Sequence, residues 1–109
     1  MNNSVSGYID SDPVLGPRVR RANQILEEII GPASNSVVAE WKPVRDATGR
    51  LLLTVSDSTG ASVEEKFAPD ELTNEGRLRA RFYRTWGDLL QDRSHKQLDL
   101  LSGRIQSGE

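Results

Sequence analysis

The chain contains no cysteine, which excludes a disulfide framework, a thiolate nucleophile and any cysteine-ligated zinc or iron-sulfur site. Its one histidine, His95, excludes a multi-histidine metal site within a single chain. No apolar run approaches the ~20 residues needed to cross a bilayer. The stretch Met1 to Asp12 is polar and acidic, without the basic start and apolar stretch of a signal peptide, so cytoplasmic placement is the default expectation. Gly31, Gly49 and Gly60 stand alone, so neither a phosphate loop nor a dinucleotide fingerprint is present. There is no Gly-x-Ser-x-Gly elbow and no zinc-protease helix. These absences predict no catalytic residues, no metal and no cofactor. Aromatic residues make up only 6% of the chain and hydrophobic residues 36%, a lean core but one well above the depletion that marks disorder. Charged residues reach 28% yet nearly cancel, leaving a net charge of -2. No global field therefore attracts nucleic acid or an anionic membrane, and any such attraction must come from a local patch.

What is present suits one domain, since 109 residues can bury one hydrophobic core and not two. Residues 1–12 read as a flexible N-terminal arm from which Tyr8 and Ile9 can dock, residues 13–105 as a single α+β domain, and residues 106–109 as a disordered tail. Pro17 suits a first helical position, and Val19, Ala22, Leu26, Ile29 and Ile30 recur at helical spacing until Gly31 and Pro32 stop the helix.

Residues 36 to 67 alternate in three runs that predict strands: Val37, Ala39 and Trp41; Leu51, Leu53 and Val55; Ala61, Val63 and Phe67. Between them lie two near-copies of one turn, Asp46-Ala47-Thr48-Gly49 and Asp57-Ser58-Thr59-Gly60. Read as type I turns closed by a glycine bulge, they pair Asp46 with Arg50 and Asp57 with Ala61. Counting outward predicts a three-stranded antiparallel meander with Trp41 opposite Val55, Val55 opposite Val63 and Leu51 opposite Phe67, all odd-numbered residues sharing one apolar face. Pro43 lacks a ladder donor and marks the first strand as a sheet edge. Glu65 falls on the apolar face, where its carboxylate needs water or a cation, with Arg45 or an arginine of the following helix as partner.

Beyond Pro69 a short turn of helix precedes Asn74, which offers a cap for a long helix bearing Leu78, Phe82, Trp86, Leu89 and Leu90 on one face. The polar stretch 91–96, with Ser94 and Gln97 at capping-box spacing, predicts a kink or a restart before Leu98, Leu101 and Ile105. The expected fold is thus an N-terminal helix, the meander, and one or two C-terminal helices packed on one face of the sheet.

The sharpest local feature is the run from Arg77 to Arg84, with four arginines in eight residues at a helix start. On a helix Arg77, Arg81 and Arg84 share a side, with Tyr83 on its flank. Such a stripe can grip phosphates while the tyrosine stacks on a base. Arg18 and Arg21, at the start of the first helix, add to an anion site if the two groups converge. The leading reading is blander. Glu64, Glu65, Asp70, Glu71 and Glu75 lie just upstream and can neutralise the stripe within the chain. His95 sits in a polar segment with no catalytic companion and reads as a surface residue. The functional expectation is a small non-enzymatic protein-protein interaction or adaptor module that self-associates through Leu98, Leu101 and Ile105 on its C-terminal helix. RNA or DNA binding through residues 77–84 is the alternative. No membrane partner is expected.

Overall fold

The computed structural model describes residues 1–46 and 48–107, with side chains as far as Asp99. The order along the chain is β1 (Asn2–Val5), α1 (Gly7–Asp10), α2 (Leu15–Ile30), a 3₁₀ helix (Gly31–Ser36), β2 (Val37–Pro43), β3 (Leu51–Asp57), β4 (Ser62–Phe67), a second 3₁₀ helix (Pro69–Thr73) and α3 (Glu75–Ser107). The fold is α+β. Its sheet corrects the expected three-stranded meander: four strands lie in the order β1-β2-β3-β4, and β1 runs parallel to β2. The added strand comes from the segment read as an arm. Asn2, Asn3 and Ser4 carry no apolar alternation, so main-chain pairing with Val38 to Trp41 places them where no hydrophobic pattern could. Ile9 on α1 is fully buried, while Tyr8 points into solvent.

The second hairpin has the register its turn implies. Asp57 N–H donates to Ala61 O, Val55 lies opposite Val63 and Leu51 opposite Phe67. The first hairpin is shifted by two residues: Trp41 lies opposite Leu53, and Ala39 opposite Val55. Here Val44 N–H donates to Arg50 O, and Asp46 N–H turns back to Val44 O. A two-residue shift keeps every side chain on its face, so the alternation that specifies the face is blind to it. Nor is β2 an edge strand along its length, because β1 covers it as far as Trp41. The nitrogen of Pro43 faces the β1 side just beyond the last β1 pair, so its missing donor is needed by no neighbour.

The helices cover the odd-numbered face of the sheet. Trp41, Leu51, Leu53, Val55, Ala61 and Phe67 are buried against Val19, Ala22, Ile25 and Leu26 of α2 and Leu78, Phe82 and Leu89 of α3. Val63, Trp86 and Ile29 are only half-buried at its margin. One polar contact pins this layer: Trp41 Nε1 donates to Asn23 Oδ1 at 2.8 Å, both residues being buried. A buried indole donor needs such a partner, and Asn23 supplies it from α2, tying that helix to the sheet. Asp12, whose carboxylate accepts Val14 and Leu15 N–H, starts α2 two residues before Pro17. Gly16 is required there, since a Cβ would stand 2.7 Å from Asp10 O. α3 runs unbroken through residues 91–96, so it does not restart there. Ser94 Oγ bonds back to Leu90 O instead of capping a new helix, and no glycine or proline interrupts the ladder there.

Candidate functional site

The arginine-rich start of α3 is positioned by Asn74, whose Oδ1 accepts Arg77 N–H at 3.1 Å. Phe82 and Leu78 then turn one face of the helix into the core, which sends the arginines outward to the flanks. The most engaged is Arg81. It contacts Glu71 Oε2 at 2.6 Å and Glu65 Oε2 at 3.2 Å, donates to Lys66 O at 2.8 Å, and lies 3.9 Å from the centroid of Phe67. Its partner Glu65 is the carboxylate that falls on the apolar face of the sheet, so one guanidinium satisfies the inward acid and covers the aromatic ring.

The two arginine groups do approach each other, but acids lie between them. Arg21 holds Glu75 with two contacts, at 2.8 and 3.3 Å. That hydrogen bond, helped by the Arg21 charge, holds the Glu75 carboxyl below its usual range. Arg79 pairs with Glu28 at 3.1 Å, and Arg18 donates to Pro69 O at 3.2 Å. Of the singled-out cations, Arg77 and Arg84 are exposed and take part in no ion pair among the described residues. Tyr83, between them in sequence, is 62% exposed. A groove of about 650 Å³ lies between the second 3₁₀ helix and α3, lined by Asp70, Glu71, Asn74, Arg77, Leu78 and Arg81. Its charges are mixed, and among the described residues no buried side-chain nitrogen or oxygen lacks a partner.

Further along α3, adjacent residues Asp92 and Arg93 grip the second hairpin. Arg93 Nε donates to Asp57 Oδ2 at 2.7 Å, and Asp92 Oδ2 accepts Ser62 N–H at 3.0 Å. The side chain of Asp57 is only 1% exposed. Burial pushes its carboxyl up, but hydrogen bonds from Thr59 and Arg93 outweigh that and hold it below the usual range. Even-numbered residues of β4 turn their main chain to the open edge, so Asp92 on Ser62 N–H and Arg81 on Lys66 O partly close that edge to further strands. Sequence reasoning passed over this pair. The available signal was helical phase, which sets positions 92 and 93 on either side of the face carrying Leu78, Phe82 and Leu89.

Among the described residues, the last buried one of α3 is Leu89; beyond it Leu90 is 38% and Leu98 60% exposed, and His95 is exposed. Leu101 and Ile105 belong to α3, but their side chains lie outside the described residues. Among the described residues, no three His, Asp or Glu side chains gather as a metal site, and no helix is long and apolar enough to cross a membrane. No protein-family model, curated protein or solved structure matches the chain.

Proposed function

We propose that the chain is a small non-enzymatic protein-interaction module whose contact element is the solvent face of α3, with a cytoplasmic setting as part of the same proposal. One observation carries this reading: α3 continues past the core after Leu89 while exposing Tyr83, Leu90 and Leu98. Large apolar side chains on an extended helix fit recognition of another protein surface. The arginines support it by their engagement. With Arg18, Arg21, Arg79 and Arg81 bound to groups of the same chain, the charge that the two arginine groups leave for a phosphate backbone falls to Arg77 and Arg84.

Those two arginines, with exposed Tyr83 between them, are what favours the second reading, RNA or DNA binding. The readings separate in one titration of single- and double-stranded probes at low and moderate salt. The interaction-module reading expects no binding that weakens with salt. Salt-dependent binding abolished by Arg77→Glu and Arg84→Glu replaces it with the nucleic-acid reading.

A further inference from the structure

On α3 the buried residues Leu78, Phe82, Thr85 and Leu89 define one face, and at about 100° per residue the opposite face carries Ala80, Tyr83, Gly87, Leu90, Ser94 and Leu98. All six are exposed and none is charged, although the chain as a whole is 28% charged. They follow one another in steps of three or four, the spacing of a helix seam that meets a second helix. The charges stand to the sides, with Arg77, Arg84 and Asp88 along one flank. Over residues 78–89 helix α3 therefore has two uncharged faces, and this domain covers one.

Gly87 sits at the middle of the uncovered face. A helix-interior glycine is unfavourable relative to alanine, and a Cβ added at Gly87 meets nothing within 4 Å. Packing within the chain therefore gives no reason for a glycine there; a helix crossing closely at that point does.

Resting on the reading that the solvent face of α3 is the contact element, we infer that its partner is a second copy of this chain, bound antiparallel about a two-fold axis at Gly87. Charge selects that arrangement. Arg84 lies three residues before Gly87 and Asp88 one residue after it on the same flank. Neither takes part in an ion pair among the described residues. The two-fold sets Arg84 of each copy about 3 Å along the axis from Asp88 of the other, forming two equivalent pairs. Shape agrees with charge. Gly87 meets its own copy, Ala80 falls level with Ser94, Tyr83 packs beside Leu90, and Leu98 lies over Gly76. Small residues thus face each other near the crossing, and each large one meets a neighbour or a gap. A parallel two-fold pairing turns the Arg84 and Asp88 flanks of the two copies to opposite sides, so neither pair forms, and it places Tyr83 level with Tyr83.

Sedimentation velocity of the full chain over a concentration series, combined with cysteine cross-linking in a protein that has none of its own, tests this. The expected result is a concentration-dependent dimer. Gly87→Cys forms a disulfide-linked dimer, because the two Cα atoms approach within bonding range at the crossing. Ala80→Cys alone does not, since its two copies stand about 21 Å apart, yet a mixture of Ala80→Cys and Ser94→Cys proteins does cross-link. Arg84→Asp and Asp88→Arg each weaken dimerisation at least about fivefold, and the double variant restores it by reversing both pairs. The charge variants keep the test decisive even if Gly87→Cys folds poorly. A chain that stays monomeric at every concentration overturns the inference, as do self-cross-linking of Ala80→Cys or a dimer indifferent to all these changes. A monomer without salt-dependent nucleic-acid binding removes only the second copy as partner; salt-dependent binding removes the reading beneath it.

Discussion

The two Asp-x-Thr-Gly turns begin from nearly the same residues and end in different structures. In both, the aspartate accepts hydrogen bonds from the threonine two residues on, at its N–H and at Oγ1. In both, glycine takes positive φ, 69° at Gly49 and 88° at Gly60. That much is local chemistry. They part at the residue after glycine. Ala61 is small and buried, and its N–H reaches Asp57 Oδ1 at 3.2 Å, closing the hairpin tightly. Arg50 is long and half-exposed, and its guanidinium returns to Asp46 at 3.3 Å, while the hairpin closes further out between Val44 and Arg50. The second turn receives its guanidinium from α3, through Arg93. A short motif thus sets the turn's internal network, and the surroundings decide whether it also ties the sheet to a helix.

Breaking the carboxylates in turn should show the difference at its largest. Asp57→Ala is expected to cost about 2–4 kcal/mol, measured by urea unfolding, since it strands Arg93 and the N–H groups of Thr59 and Ala61. Asp46→Ala should shift the midpoint much less, because its partners are exposed and turn to water. Equal losses would mean that the tie to α3 contributes nothing. The glycines should show the opposite: Gly60→Ala and Gly49→Ala are each expected to cost about 1–2 kcal/mol, because both strain a positive φ and neither new methyl meets a neighbour. A large gap between them would move the contrast from side chains to backbone. Arg93→Ala should cost about 1 kcal/mol in the parent and almost nothing beside Asp57→Ala, a coupling that a double-mutant cycle reads directly.

Acid gives the smallest effect. The folded-state value of Asp57 is depressed, so its contribution is present above the unfolded value of about 3.9 and lost as pH falls through the folded one. Urea midpoints taken from pH 6 down to pH 3 should fall less steeply for Asp57→Asn than for the parent. Identical slopes would remove Asp57 from the acid response.

The arginine-rich run could be read as a helical stripe, and its acidic neighbours named as partners, because both follow from spacing within a few tens of residues. The pairing of Arg21 with Glu75 could not, since 54 residues separate them and only packing of α2 beside α3 brings them together. Arg93 and Asp92 were passed over for the same reason. Their partners, Asp57 and the N–H of Ser62, lie across a sheet whose distance from α3 no local pattern encodes. Strand β1 left no trace because parallel main-chain pairing makes no demand on Asn2, Asn3 or Ser4.

By itself the sequence determined three strands, their buried face, the tight second hairpin and the helical phase of α3, because period, turn residues and caps act within a few residues of one another. Tertiary structure alone decided the fourth strand, the two-residue offset of the first hairpin, and which arginines are bound and which stay exposed. Those outcomes depend on which groups meet across the fold, and a two-residue slip or a distant carboxylate changes no local preference.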